Sequence, residues 1–92
     1  MKKFKESLDT AVFTTQYVIE SKSVIVYVCH DDDGDWQFHG AEDDISEDEM
    51  RVVGLGEIIT LDNTILDISD LPIGFEAIRK DINSPWTIIS PN

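Results

Sequence analysis

This 92-residue chain has one cysteine, seven basic residues and no apolar run approaching the length of a membrane span, and each shortage excludes a class of protein. With Cys29 alone, no intrachain disulfide can form, so the chain is not a disulfide-built scaffold. Cys29 ends the apolar run Val24-Ile25-Val26-Tyr27-Val28, where an inert thiol is expected because no neighbouring cation lowers its pKa. Seven Lys and Arg face nineteen Asp and Glu, giving a net charge of −12 and a pI near 4.2. Nucleic-acid binding needs cations on the phosphates, so it is not expected here. Anionic membrane surfaces are excluded on the same ground. A basic protein partner is compatible, because complementary fields speed encounter. Met1-Lys2-Lys3-Phe4-Lys5 has the charge of a signal-peptide start, but Glu6, Asp9 and Gln16 interrupt any apolar core behind it. The expected compartment is the cytoplasm, and the oligomeric state is left open.

What is present is enough apolar material to fold. Hydrophobic residues make up 41% of the chain, more than disordered segments carry. The length fits one domain over residues 1–92, with 1–9 as a flexible arm or short helix. Ala11 to Ile19 is β-branched and aromatic and predicts a strand. Ser23 to Cys29 predicts a central strand covered on both faces. Asp31-Asp32-Asp33-Gly34 then supplies a tight reversal, after which Trp36 and Phe38 alternate with Gln37 and His39. Cys29 to Phe38 therefore predicts a β-hairpin.

Ser46-Glu47-Asp48-Glu49 has capping-box spacing, and Arg51-Val52-Val53 is a short strand candidate. Gly54-Leu55-Gly56 predicts a strand-to-helix turn. From Leu55 through Ile58, Ile59, Leu61, Ile65 and Ile68 the apolar spacing becomes helical, interrupted at Asp62-Asn63-Thr64 and stopped by Pro72-Ile73-Gly74. Residues 75–81 and Trp86-Thr87-Ile88-Ile89 predict a closing hairpin. The whole is an α+β domain: a mostly antiparallel sheet of about five strands with one helical segment, about 55–70, packed on one face.

The acid is concentrated. Residues 31–49 hold ten of the nineteen carboxylates and no Lys or Arg. Tested as an EF-hand loop with Gly34 at the turn position, Asp31 and Asp33 fall correctly, but Cys29 and Gly40 occupy the two end-ligand positions. A divalent-metal site on Asp31, Asp33 and Asp35 stays as the alternative to a solvated hairpin tip. His30, His39 and Asp35 lack any recurrent zinc spacing. No cofactor motif is present, and no nucleophile signature surrounds the serines. Trp36, Phe38, Phe75 and Trp86 are expected in the core. Arg79, inside an apolar strand, is expected to pair with a carboxylate near the hairpin.

The stretch Val26-Tyr27-Val28-Cys29-His30-Asp31-Asp32-Asp33-Gly34-Asp35-Trp36-Gln37-Phe38 resembles a family of small uncharacterised bacterial proteins carrying a strand, a His-Asp-rich turn and then Gly-Asp-Trp-Gln-Phe. Val52 and Val53 before Leu55, Glu57 and Ile58 continue the likeness, as do Leu71-Pro72-Ile73-Gly74, Ala77, Arg79 and Trp86. More distantly, the pattern is similar to an immunity-protein-like family that neutralises secreted bacterial toxins. The resemblance implies a non-enzymatic binding protein. The surface expected to meet a basic partner is Glu42, Asp43, Asp44, Glu47, Asp48 and Glu49.

Overall fold

The β-branched run at 11–19 is divided between two elements in the computed structural model, which describes residues 2–92. Strand β1 spans Ala11–Thr15, and Gln16–Ile19 forms a single helical turn, α1. The expected strand ends early because Thr15 Oγ1 accepts the Val18 N–H at 3.3 Å, a side-chain cap that turns the backbone into a helix. Strand β2 is Tyr27–His30 and β3 is Trp36–His39, paired antiparallel as the expected hairpin. Gly34, at φ 87°, makes the reversal.

A 3-10 turn at Glu47–Glu49 precedes strand β4, Met50–Gly54. Helix α2, Leu55–Leu61, follows at once, and Asp62 breaks it from a second, 3-10 piece at Asn63–Ile68. Asp62 Oδ1 accepts the Thr64 N–H at 2.9 Å, so the interrupted stripe becomes two short helical segments. Strands β5, Glu76–Ile78, and β6, Thr87–Ile89, close the chain as an antiparallel hairpin.

The sheet has six strands in the order β4-β1-β3-β2-β5-β6. All neighbours are antiparallel except β1 and β3, which run parallel with Phe13 opposite Gln37. One face carries Val12, Val28, Trp36, Phe38 and Ala77, which pack with Leu55, Ile58, Ile65, Ile68 and Leu71 of the helical segments into the core. Phe4 joins them: it is buried, with its ring edge-on to Trp36 at 5.0 Å. Residues 2–10 form no helix, and Phe4 anchors them to the core.

Strand β2 is covered on one face only. Val28 and His30 are buried while Tyr27 and Cys29 are half-buried, which corrects the expectation of a strand enclosed on both sides. The register lines up Val52, Phe13, Gln37, Cys29, Glu76 and Ile89 in one row across the opposite face, with His39, Tyr27, Ile78 and Thr87 in the next. None of these ten side chains is buried, and Val52 is 62% exposed. No helix among the described residues is long and apolar enough to cross a membrane.

Candidate functional site

The hairpin sends the two halves of the acidic stretch to opposite ends of the sheet. Residues 31–35 join the end of β2 to the start of β3, whereas residues 40–49 leave the far end of β3 and cross over the end of β1 to reach β4. No continuous acidic surface runs from Asp31 to Glu49.

At the tip, Asp31 is a turn former. Its Oδ1 accepts the N–H groups of Asp33 and Asp35, both at 3.0 Å, and its Oδ2 accepts Gln37 Nε2 at 3.3 Å. Carboxylate oxygens of Asp31, Asp33 and Asp35 lie within 4.8 Å of one another, a spacing that oxygen ligands around one Ca²⁺ also have. His30 and His39 do not join them. His30 points to the core face opposite Trp36, and His39 lies on the open face opposite Tyr27.

In the second segment the six candidate residues divide. Ser23 and Tyr17 hydroxyls donate to the carboxylates of Glu42 and Glu49, which turn inward and are half-buried. Glu49 also accepts the Ser46 N–H at 2.9 Å, forming the expected capping box; that bond first, and the Tyr17 hydroxyl second, hold its carboxyl below the usual range. The same pairing pushes the Tyr17 phenol up. Gly40 lets the segment fold back this tightly, since a Cβ there would sit 2.6 Å from the Ser23 Cβ. Asp43, Asp44, Glu47 and Asp48 remain exposed.

Asp43 and Glu42 border a shallow recess with Tyr27 and His39, so this acidic segment meets the open face of the sheet. Asp31, tied to Gln37, borders the same face at the other end. Between them lie the Tyr27 and His39 rings, 5.7 Å apart, with the Tyr27 hydroxyl donating to Glu76. Burial lowers the His39 pKa and, as the first cause in each case, raises those of Tyr27 and Cys29. Cys29 is thus a poor nucleophile. The open face is an array of apolar and polar groups that includes the Glu76 carboxylate, with further carboxylates at its two ends.

A second feature lies across the sheet. A cleft of about 510 Å³ is bounded by Glu6, by His30, Gly34 and Trp36 at the hairpin, and by the turn from Ser69 to Ile73. The His30 ring stacks on Trp36 at 3.9 Å, its Nδ1 lies 2.7 Å from the Leu71 carbonyl, and Trp36 Nε1 donates to Glu6 Oε2 at 3.0 Å. No hydroxyl or thiol among the described residues is hydrogen-bonded to either histidine, so no nucleophile–base pair is formed. Neither Glu6 nor Ser69 belongs to a motif that the sequence makes recognisable as a site.

Arg79 pairs with Asp62 between the two helical segments, not with a carboxylate of the hairpin. Trp86 and Phe75 are partly buried against the core, and Arg79 lies 4.2 Å over the Trp86 ring. This cluster ties β5 to the helical layer. Comparison of the chain with family models, with curated proteins and with solved structures finds no match.

Proposed function

We propose that the protein is a non-enzymatic binding domain for a basic protein, docking on the open face of the sheet. One observation carries the reading: a sheet face with Val52, Ile78 and Ile89 exposed is bordered at one end by Asp31 and at the other by Glu42 and Asp43. Such a face supplies apolar contact on its outer strands, Val52 on β4 and Ile78 and Ile89 on β5 and β6, and negative charge at its two ends, an arrangement that suits a cationic partner. A toxin-neutralising, immunity-like role is the form of this reading that the resemblance suggests. The contact surface is then the whole face, with Asp43, Asp44, Glu47 and Asp48 as rim charges.

The test is salt-graded capture from host lysate, followed by purification of the bound protein. The expected partner is basic and is released as salt screens the rim. Asp43→Asn, Asp44→Asn, Glu47→Gln and Asp48→Asn combined should weaken its affinity roughly tenfold at low salt, the sum of four screened rim charges, with the melting temperature unchanged. Unaltered affinity removes these residues from the surface.

A second reading, favoured by the 4.8 Å grouping, is a divalent-cation site on Asp31, Asp33 and Asp35. Asp31 already accepts three hydrogen bonds, which supports a turn more than a metal ligand. Calorimetric titration with Ca²⁺, Mg²⁺ and Zn²⁺ decides between them; absence of heat at millimolar ion removes the metal.

A further inference from the structure

We propose that the cleft beside His30 is a binding site for an alkyl cation with several N–H donors, either an alkylguanidinium or a primary alkylammonium group. The argument begins with the His30 tautomer. A carbonyl oxygen can only accept, so the 2.7 Å contact to Leu71 puts a proton on Nδ1 and leaves Nε2 as the unpaired ring nitrogen, an acceptor in the neutral tautomer. Stacking on Trp36 at an interplanar angle of 12° fixes the plane in which that lone pair lies.

Glu6 is oriented by the same tryptophan. Its Oε2 takes the Trp36 Nε1–H, and Oε1 accepts from no other described residue. Ser69 is 5% exposed, and its Oγ is buried with no hydrogen-bond partner. That hydroxyl is closed off from the cleft, so the groups available to a ligand are Glu6 Oε1 and His30 Nε2, neither of which has a partner among the described residues.

A carboxylate with an uncommitted oxygen selects for positive charge, and an anion would meet it directly. Asp70 adds a further carboxylate at the rim, where Lys2 reaches it at 3.3 Å. Lys5 is the one cation of the lining; it is exposed, on a flexible stem that can leave the mouth. Leu71, Pro72 and Ile73 give the cleft an apolar side for an aliphatic chain. This site lies on the covered side of the sheet and is independent of the open face.

The experiment uses the ¹⁵N-labelled full chain and butylguanidinium, with neutral butylurea as its shape-matched control. Butylguanidinium should shift the Trp36 Nε1–H and His30 ring resonances saturably, with the Trp86 Nε1–H as the unmoved internal reference. Butylurea should bind about tenfold more weakly, the order expected for losing one charge-assisted hydrogen bond. Glu6→Gln keeps an oxygen for Trp36 and should lose about the same factor with an unchanged thermal midpoint. An arginine-containing tripeptide that binds more tightly than butylguanidinium assigns the site to a protein side chain; weaker binding assigns it to a free alkyl cation. No saturable shift at millimolar probe, equal binding of butylurea, or full affinity in Glu6→Gln overturns the proposal.

Discussion

Arg79 Nη2 donates to Asp62 Oδ2 across 2.7 Å, with 1% and 7% of the two side chains exposed. The rest of the guanidinium is used as well: Nε donates to the Ile25 carbonyl at 2.9 Å and Nη1 to Thr64 Oγ1 at 2.8 Å. The pair thus joins β5, the approach to β2 and the break between the helical segments. Removing one partner leaves the other charge buried and unpaired.

Asp62→Ala should therefore destabilise the fold by about 3–5 kcal/mol in urea denaturation. The double variant Asp62→Leu with Arg79→Met removes both charges and should cost less than either single change. Equal or additive losses would show that the two side chains act separately.

Phe4 gives a second check. Its ring meets Trp36 at 5.0 Å and Phe38 at 6.4 Å, both edge-on, so the N-terminal segment contributes to the core. Phe4→Ala should cost about 3 kcal/mol, at the lower end for a buried phenylalanine because it sits on a segment outside helix and strand that can relax. A change under about 0.5 kcal/mol, the usual surface effect, would mean that the segment is detached in solution.

Much of this architecture was legible in the sequence, for local reasons. The β2–β3 hairpin follows from Asp31 to Gly34 and the alternation at Trp36 and Phe38. The end of β4 and start of α2 follow from the change of period at Leu55. What was not legible depends on contacts far apart in sequence. The parallel pairing of β1 with β3 has no local signal. Thr15 acting as a cap overrides the β-branched composition after it. The pairing of Arg79 with Asp62 needs the sheet order to be known. The apolar run before Cys29 reads as doubly covered, yet only one face of β2 receives a helical layer. In the acidic segment, composition marks all six residues alike, and only the hydroxyls of Tyr17 and Ser23 distinguish Glu49 and Glu42 from the exposed four.

Stability should fall on the acid side in two steps. His39 is held neutral by burial, so its folded pKa lies below the ordinary 6.5. Below pH 6.5 the unfolded chain binds the proton first, and stability present above that pH is lost as pH falls towards the folded value. Glu49 is depressed below the ordinary 4.5, so a second loss begins below pH 4.5. Urea midpoints measured against pH should show both, with His39→Gln reducing the upper step and Glu49→Gln the lower.

Cys29 should alkylate slowly. Burial raises its thiol pKa, so at pH 8 iodoacetamide should react more slowly than with a free cysteine, and denaturation should restore the ordinary rate. A faster native rate would mark Cys29 as an activated thiol and reopen a chemical role for the open face.

The most direct test of the binding reading is methyl NMR of the chain with the purified basic partner. The account predicts shifts at Val52, Ile78 and Ile89 on the open face, with Ile58 and Ile65 in the core unmoved. Shifts confined to other methyl groups, with Val52, Ile78 and Ile89 unchanged at saturation, would contradict it.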